Sequence, residues 1–239
     1  MSTRAIVNVA TGEHYLKGQR RLKESFAGVP LITWDREPLG CPDHSEVPYA
    51  FKAHALDMAA LKYPTLLWMD ACIVPGARPL EDLWQKIEDD GVWFANNGYS
   101  NETWTCEAAY PLLGVSREEN REIKHVVATT FGVCTNHPTG RAFLDEYLRL
   151  AKNGAFRGPW VNAAWAHPNL GPHDVDASLV ASGRYGICGP RDVRGHRHDQ
   201  SAASVIAWRL NIDLTNCPEW FAYKGGETDK TVLIADGAY

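Results

Sequence analysis

Apolar positions along the chain follow two alternating rhythms. Continuous β-branched runs such as RAIVNVA (Arg4 to Ala10), VPLITWD (Val29 to Asp35) and TLLWMDACIVP (Thr65 to Pro75) read as buried strands. Between them, apolar residues recur at three- and four-residue spacings. YLKGQRRLKESF places Leu22 and Phe26 on one helical face. AFKAHALDMAALK (Ala50 to Lys62) does the same with Phe51, Ala55, Met58 and Ala59, and PLEDLWQKIEDD with Leu80, Leu83, Trp84 and Ile87. GVWFANN reads as a strand ended by polar residues and IKHVVATTFGVCT as a long β-rich stretch. RAFLDEYLRLAKNG is a helix closed by Gly154, and GHRHDQSAASVIAWRL (Gly195 to Leu210) is a helix with Val205, Ile206 and Leu210 on its buried side. The proline-rich segment from Arg36 to Pro48 and the Pro/Gly-rich stretch from Gly158 to Gly171 are loops.

Strands alternating with helices predict an α/β domain with a mainly parallel central sheet flanked by helices. No repeat, low-complexity tract or linker divides the 239 residues, so one domain over 1–239 is expected, with 211–239 as a packing or lid segment. Composition narrows the classes. With 45% hydrophobic and 22% charged residues the chain is an ordinary globular sequence. No apolar stretch approaches a membrane span and the N-terminus lacks a signal-peptide core, so the expected address is cytoplasmic. The net charge of −5 disfavours a nucleic-acid surface. Six cysteines without a C-x-x-C pair indicate neither a zinc knuckle nor a disulfide framework.

In open α/β sheets ligands bind beyond the carboxyl ends of the strands. That rule selects Asp35, Asp70, and Asn96 with Asn97 as polar residues following strands. Each acid could simply cap a turn; one at a strand mouth also suits a divalent cation bridging to a diphosphate. In the C-terminal half, His198, Asp199 and Gln200 stand at a helix start, where amide donors and the dipole favour bound oxygens, although Asp199 could equally be an N-cap. PHDVDAS (Pro172 to Ser178) is a second His/Asp cluster, in which Asp176 reads as a turn cap. Trp84 and Trp208 sit at core spacings, whereas Trp104, Trp160 and Trp165 lie in loops where indoles can either half-bury or stack on sugars and bases.

These pieces carry a resemblance. VNVATGEHYLKGQRRLKESF resembles the start of GT-A glycosyltransferases of the glycogenin and bacterial galactosyltransferase kind. AFKAHALDMAALKYPTLLWMDACIVP is similar to the helix and strand that deliver their D-x-D motif, VVATTFGVCTNHPTGRAFLDEYLRLA to the following strand and helix, and HDQSAASVIAW to their D-Q element. The resemblance implies a GT-A-like, Rossmann-like fold and a transferase moving a sugar from a nucleotide-diphosphate sugar, a UDP-sugar favoured, to an acceptor it does not identify. It aligns Thr11, Gly12 and Tyr15 with the turn meeting the base, Asp35 with the acid after the second strand, and Lys52 with a basic residue before the metal motif. Asp70 matches the first acid of D-x-D, and Asp199 with Gln200 the pair contacting the donor sugar; Asn96, Asn97 and His196 are candidates for sugar or acceptor contact.

The departure is Cys72, which stands where a metal-binding acid is expected. A thiol is a poor ligand for manganese or magnesium. Either His198 or His196 completes the site with Asp70, or metal affinity is weak, or no metal is needed. Two other classes stay open: a metal-dependent hydrolase built on His196, His198 and Asp199, and a non-catalytic carbohydrate-binding module, which nine tryptophans favour.

Overall fold

The structure is a computed structural model that describes residues 3–166 and 183–237; the Pro172 to Ser178 cluster, with Asp176, lies outside the described residues. The chain begins with β1 (Arg4–Val9), α1 (Glu13–Ser25), β2 (Leu31–Trp34), α2 (Ala50–Ala60) and β3 (Thr65–Met69). It continues through β4 (Ile73–Pro75), α3 (Leu80–Asp90), β5 (Val92–Trp93), β6 (Ala95–Ser100), α4 (Tyr110–Leu113), α5 (Arg117–Glu122), β7 (Lys124–Val126) and β8 (Thr130–Cys134). Then follow α6 (Pro138–Asn153), β9 (Val161–Asn162), α7 (Ala163–Ala166), β10 (Tyr185–Gly186), α8 (His198–Arg209), β11 (Thr215–Asn216), β12 (Phe221–Tyr223) and β13 (Leu233–Ala235).

The central sheet has the order β2-β1-β3-β8-β5. β1 is parallel to β2 and β3, whereas β8 is antiparallel to both β3 and β5. All strands but β8 therefore run the same way, the mainly parallel sheet that continuous apolar runs predict. Period-two alternation sorts the core into two layers. Ala5, Val7, Leu66 and Trp68 face Leu56, Phe143, Tyr147 and Ile206, so α2, α6 and α8 cover one side. Ile6, Leu67 and Met69 face Leu22, Leu83, Ile87 and Phe221, so α1 and α3 cover the other.

Two readings of the pattern need correcting. GVWFANN is not one strand, because β5 belongs to the central sheet and β6 pairs with β7 and β11 in a second sheet; Asn96 and Asn97 thus lie within a strand rather than after one. IKHVVATTFGVCT is β-rich as expected and supplies both β7 and β8. Met58 and Trp208, assigned to buried faces by their spacing, are 40% and 43% exposed. Residues 211–237 add β11 to the second sheet and pair β12 and β13 with β4, burying Phe221, Val232 and Leu233.

The connections create a focal point. From β1 the chain moves outward through α1 to β2, then crosses the opposite face through α2 to β3 on the other side of β1. The crevice beyond the carboxyl ends of β1 and β3 is the topological switch point, where loops part and leave room for a ligand.

Candidate functional site

Asp70 follows β3 directly and is held at the switch point by its backbone N–H, which donates to Thr129 O at 2.8 Å. Its Oδ1 accepts from Trp68 Nε1 at 2.7 Å and lies 3.4 Å from Lys52 Nζ. Lys52 projects from the sheet-facing side of α2, whose other buried residues are mostly alanines, and is 3% exposed. Its ammonium also lies 3.2 Å from Asp199 Oδ2 and donates to Ala128 O at 2.8 Å. Tyr147, from the core face of α6, donates its hydroxyl to the same Asp199 oxygen at 3.2 Å. One buried ammonium thus joins two carboxylates delivered by a strand end and a distant helix.

The electrostatics follow from that arrangement. Burial alone lowers the basicity of Lys52, but Asp199 and Asp70 outweigh it and the net shift is upward. Burial pushes the Asp199 carboxyl up, with Lys52 opposing. Burial and the Asp199 charge together keep the Tyr147 hydroxyl protonated as a donor. Asp199 is not a helix cap: Arg197 occupies the N-cap position of α8 without a side-chain cap, and the Asp199 carboxylate turns to Lys52 and Tyr147.

Two hollows meet over Asp70 and Tyr49. The inner one, about 100 Å³, is lined by Lys52, Thr129, Trp160, Arg197, His198, Asp199 and Gln200 in addition to those two. The outer one, about 450 Å³, is walled by Val9, Thr11, Tyr15, His44 and Phe51. Gly12 opens α1 at φ 86°, a conformation L side chains adopt only at a cost, and this lets Thr11 and Tyr15 face the crevice. Tyr49 and His198 also take left-handed backbone, φ 62° and 49°. Each costs on the order of 1–3 kcal/mol, and such strain clusters where side chains must be aimed at ligands. Their rings and Trp160 form a cluster, with Trp160 and His198 centroids 4.5 Å apart and Tyr49 and Trp160 5.4 Å apart. A third hollow of about 610 Å³ shares His44 and Trp160 and is bounded by Arg157 and Tyr185.

The two histidines of the GHRHDQ segment have different fates. Gly195 lets the segment pass against Trp160, since a Cβ there would lie 2.0 Å from Trp160 O. His196 is fully buried with both ring nitrogens engaged: Nδ1 accepts from Cys106 N at 3.2 Å and Nε2 faces Ala155 O at 3.0 Å. Burial lowers its pKa to about 4. It is therefore a structural histidine and not a ligand, which removes the central residue of the hydrolase reading. His198, which lines the inner hollow, bonds Phe156 O through Nδ1 at 2.9 Å, while its Nε2 is buried without a hydrogen-bond partner.

The remaining candidates separate clearly. Thr11, Tyr15, Lys52, Asp70, His198, Asp199 and Gln200 converge on the two hollows. Gln200 is steadied by its Nε2, which donates to Val126 O. Asp35 follows β2 but is 66% exposed, pairs with Arg36 at 3.3 Å, and does not line either hollow. Asn96 turns its side-chain oxygen to Gly98 N at 2.9 Å on the second sheet, and neither it nor Asn97 lines the hollows. Of the tryptophans expected in loops, Trp160 lines the site and Trp104 lies beneath the Arg197 guanidinium at 4.1 Å. Trp165 lies in α7 rather than in a loop and is 45% exposed beside Arg194. Sequence reasoning missed Tyr49, His44, Tyr147 and Arg197; only Arg197 carried a signal, its place beside His198 and Asp199.

The donor set does not suit a divalent cation. Of Asp70, Cys72 and His198, only Asp70 offers hard oxygen, and its Oδ1 is already engaged by Lys52 and Trp68. Cys72 packs at the edge of the apolar layer that includes Leu67 and Met69. Among the described residues no three His, Cys, Asp or Glu side chains converge as a metal site.

No protein-family model and no curated protein matches the chain. Among solved structures it is similar to a glycosyltransferase involved in the glycosylation of the major capsid of PBCV-1, with a TM-score of 0.45 and 11% identity over 97% of this chain and 93% of that one. It is also similar to the bifunctional glycosyltransferase WbbM, with a TM-score of 0.49 and 12% identity over 100% of this chain and 46% of that one, so that it spans just under half of WbbM. Mouse xyloside xylosyltransferase 1 is similar with a TM-score of 0.43 and 9% identity over 97% and 84%. No helix among the described residues is long and apolar enough to cross a membrane.

Proposed function

We propose that the chain is a glycosyltransferase that moves a sugar from a nucleotide-diphosphate sugar, a UDP-sugar by preference, to an acceptor. One observation carries this reading: a larger hollow with an aromatic and hydroxyl wall joins, at Asp70, a smaller hollow lined by fixed charges. The outer part has the size and lining for a nucleoside, with Tyr15 offering a ring face and Thr11 a hydroxyl. The inner part has the character of a sugar pocket. Asp199 is locked by Lys52 and Tyr147, so it can orient sugar hydroxyls without reorganising as the bond to the diphosphate breaks. Gln200 lies beside it and contributes amide polarity. The acceptor approaches through the third hollow, where Trp160 and Tyr185 offer rings and Arg157 a charge.

In the transfer, the anomeric C–O bond to the diphosphate breaks while the acceptor hydroxyl adds its oxygen to the same carbon and releases a proton. The chain's own residues hold the sugar, shield it from water beneath Trp160 and Tyr49, and supply positive charge to the departing diphosphate. Incubation with UDP-glucose, UDP-galactose and GDP-mannose, with nucleotide release measured alone and with simple sugar acceptors, tests the reading. Release that rises with an acceptor and is lost in Asp199→Asn is expected. Binding of free sugars without turnover would identify a carbohydrate-binding module instead.

A further inference from the structure

A diphosphate beside Asp70 meets an electrostatic problem. Asp70 and Asp199 carry two negative charges against the single positive charge of Lys52, and all three directions in which that ammonium donates end on protein acceptors, Asp70, Asp199 and Ala128 O. Lys52 holds the carboxylates together but presents no donor to a ligand. A divalent cation would solve the problem, yet the side chains around Asp70 suit one poorly: Asp70 has one carboxylate oxygen already engaged, and the residue two positions on is a thiol packed with apolar neighbours.

Arg197 is differently placed. Its guanidinium lies 4.1 Å over the Trp104 ring, and its backbone N–H donates to Trp104 O at 3.0 Å, so both ends of the residue are anchored to one site. It lines the inner hollow, and no carboxylate among the described residues pairs with it. A guanidinium stacked on a ring still carries, along its edge, the N–H fork that matches phosphate oxygens. An independent observation marks the hollow as a ligand site. His198 lines the same hollow and directs Nδ1 at a carbonyl that can only accept, so Nδ1 carries the proton and Nε2 is a buried lone pair without a hydrogen-bond partner.

We propose that this site holds the diphosphate of its nucleotide without a divalent cation, the Arg197 guanidinium on its Trp104 pedestal supplying the positive charge. The inference rests on the glycosyl-transfer reading, because it takes a nucleoside diphosphate to be the ligand. Calorimetric titration of the full chain with UDP and with GDP, in excess chelator and again in millimolar manganese, tests it. The affinity is expected to agree within about twofold between the two conditions, since a guanidinium is insensitive to chelation. Arg197→Gln is expected to weaken binding by about tenfold or more in both conditions, the loss of charge-assisted hydrogen bonds. Arg197→Lys should recover part of that loss by restoring charge without the fork. Thermal unfolding of both variants near the parent temperature shows that the loss is local. Binding that appears only with manganese, or that is unchanged in Arg197→Gln, overturns the inference and leaves the glycosyl-transfer reading standing. Absence of binding by either nucleotide in both conditions removes the reading itself, and the inference with it.

Discussion

The two hollows that meet at Asp70 are built on opposite principles. The inner one centres on charged groups that restrain one another: Lys52, buried on α2, by two carboxylates, Asp199 of α8 by Lys52 and Tyr147, and Asp70 beyond β3 by Trp68. The outer one is walled by the end of β1, the first turn of α1, the start of α2 and the loops between, and its Tyr15 ring is 52% exposed. Buried charges couple the inner hollow to folding, because removing any one leaves another without compensation. The exposed wall is free of that coupling. A site divided in this way has one half whose geometry is rigid enough to orient a reacting sugar and another that can change its ligand preference without endangering the fold.

The largest contrast lies at Lys52. Lys52→Met leaves Asp70 and Asp199 facing each other with no cation between them, and is expected to destabilise the protein by roughly 3–5 kcal/mol, measured by urea unfolding. Adding Asp199→Leu removes one of the stranded charges and should recover part of the loss. If Lys52→Met is as stable as the parent, the ion cluster is not a structural element and the contrast between the hollows fails. Asp199→Asn is milder because Lys52 keeps Asp70 and Ala128 O; a loss of about 1–2 kcal/mol is expected, with nucleotide release at least tenfold slower. A variant that keeps its turnover while losing stability would reduce Asp199 to a structural role.

The histidines sharpen the same contrast through pH. Burial lowers the pKa of His196 to about 4 and of His125 to about 3, from an ordinary 6.5. Across that window the unfolded chain binds protons that the folded chain refuses. Stability is therefore complete above about pH 6.5 and falls as pH drops toward 4, with a slope of about 1.4 kcal/mol per pH unit for each such histidine. Urea unfolding at intervals from pH 7 to 4.5 checks this, and a flat profile would mean that the imidazoles are reached by water or already charged.

Residue patterns exposed the scaffold more completely than the site. β1, α1, α3 and α6 were legible because each buries one stripe or one continuous run, and Gly154 closes α6 with φ 87° as its position predicts. The assignment of GVWFANN to a single strand failed for a physical reason: a continuous apolar run says that a segment is buried, not that it stays in one sheet. Asp70 and Asp199 were visible as acids at a strand end and a helix start. Their partnership was not, since Lys52 sits in a nearly all-apolar helix face, and nothing local reveals that two carboxylates 129 positions apart meet on its ammonium. Tyr147 was hidden by the opposite disguise, an aromatic at core spacing whose hydroxyl alone reaches the site. His196 and His198 looked equivalent in sequence, and only the carbonyls and amides brought up by other segments tell them apart.

The smallest expected effect on stability comes with a clear effect on binding, and it lies on the outer wall. Tyr15→Ala removes a half-exposed ring from the first turn of α1, where alanine is the best helix former, so unfolding stability should change by no more than about 0.5 kcal/mol. If the ring stacks on the nucleobase, its removal forfeits about 1–3 kcal/mol, a weakening of UDP binding of roughly five- to a hundredfold. Tyr15→Phe should keep nearly all the affinity, because stacking needs the ring face and not the hydroxyl. Asp35→Ala provides the control on the same rim: its carboxylate is 66% exposed on Arg36 and outside both hollows, so neither stability nor affinity should move by more than about twofold in equilibrium constant. Equal loss in Tyr15→Ala and Asp35→Ala would show that the nucleoside lies further along the rim, toward β2. Loss in neither would place it away from the carboxyl end of β1 altogether.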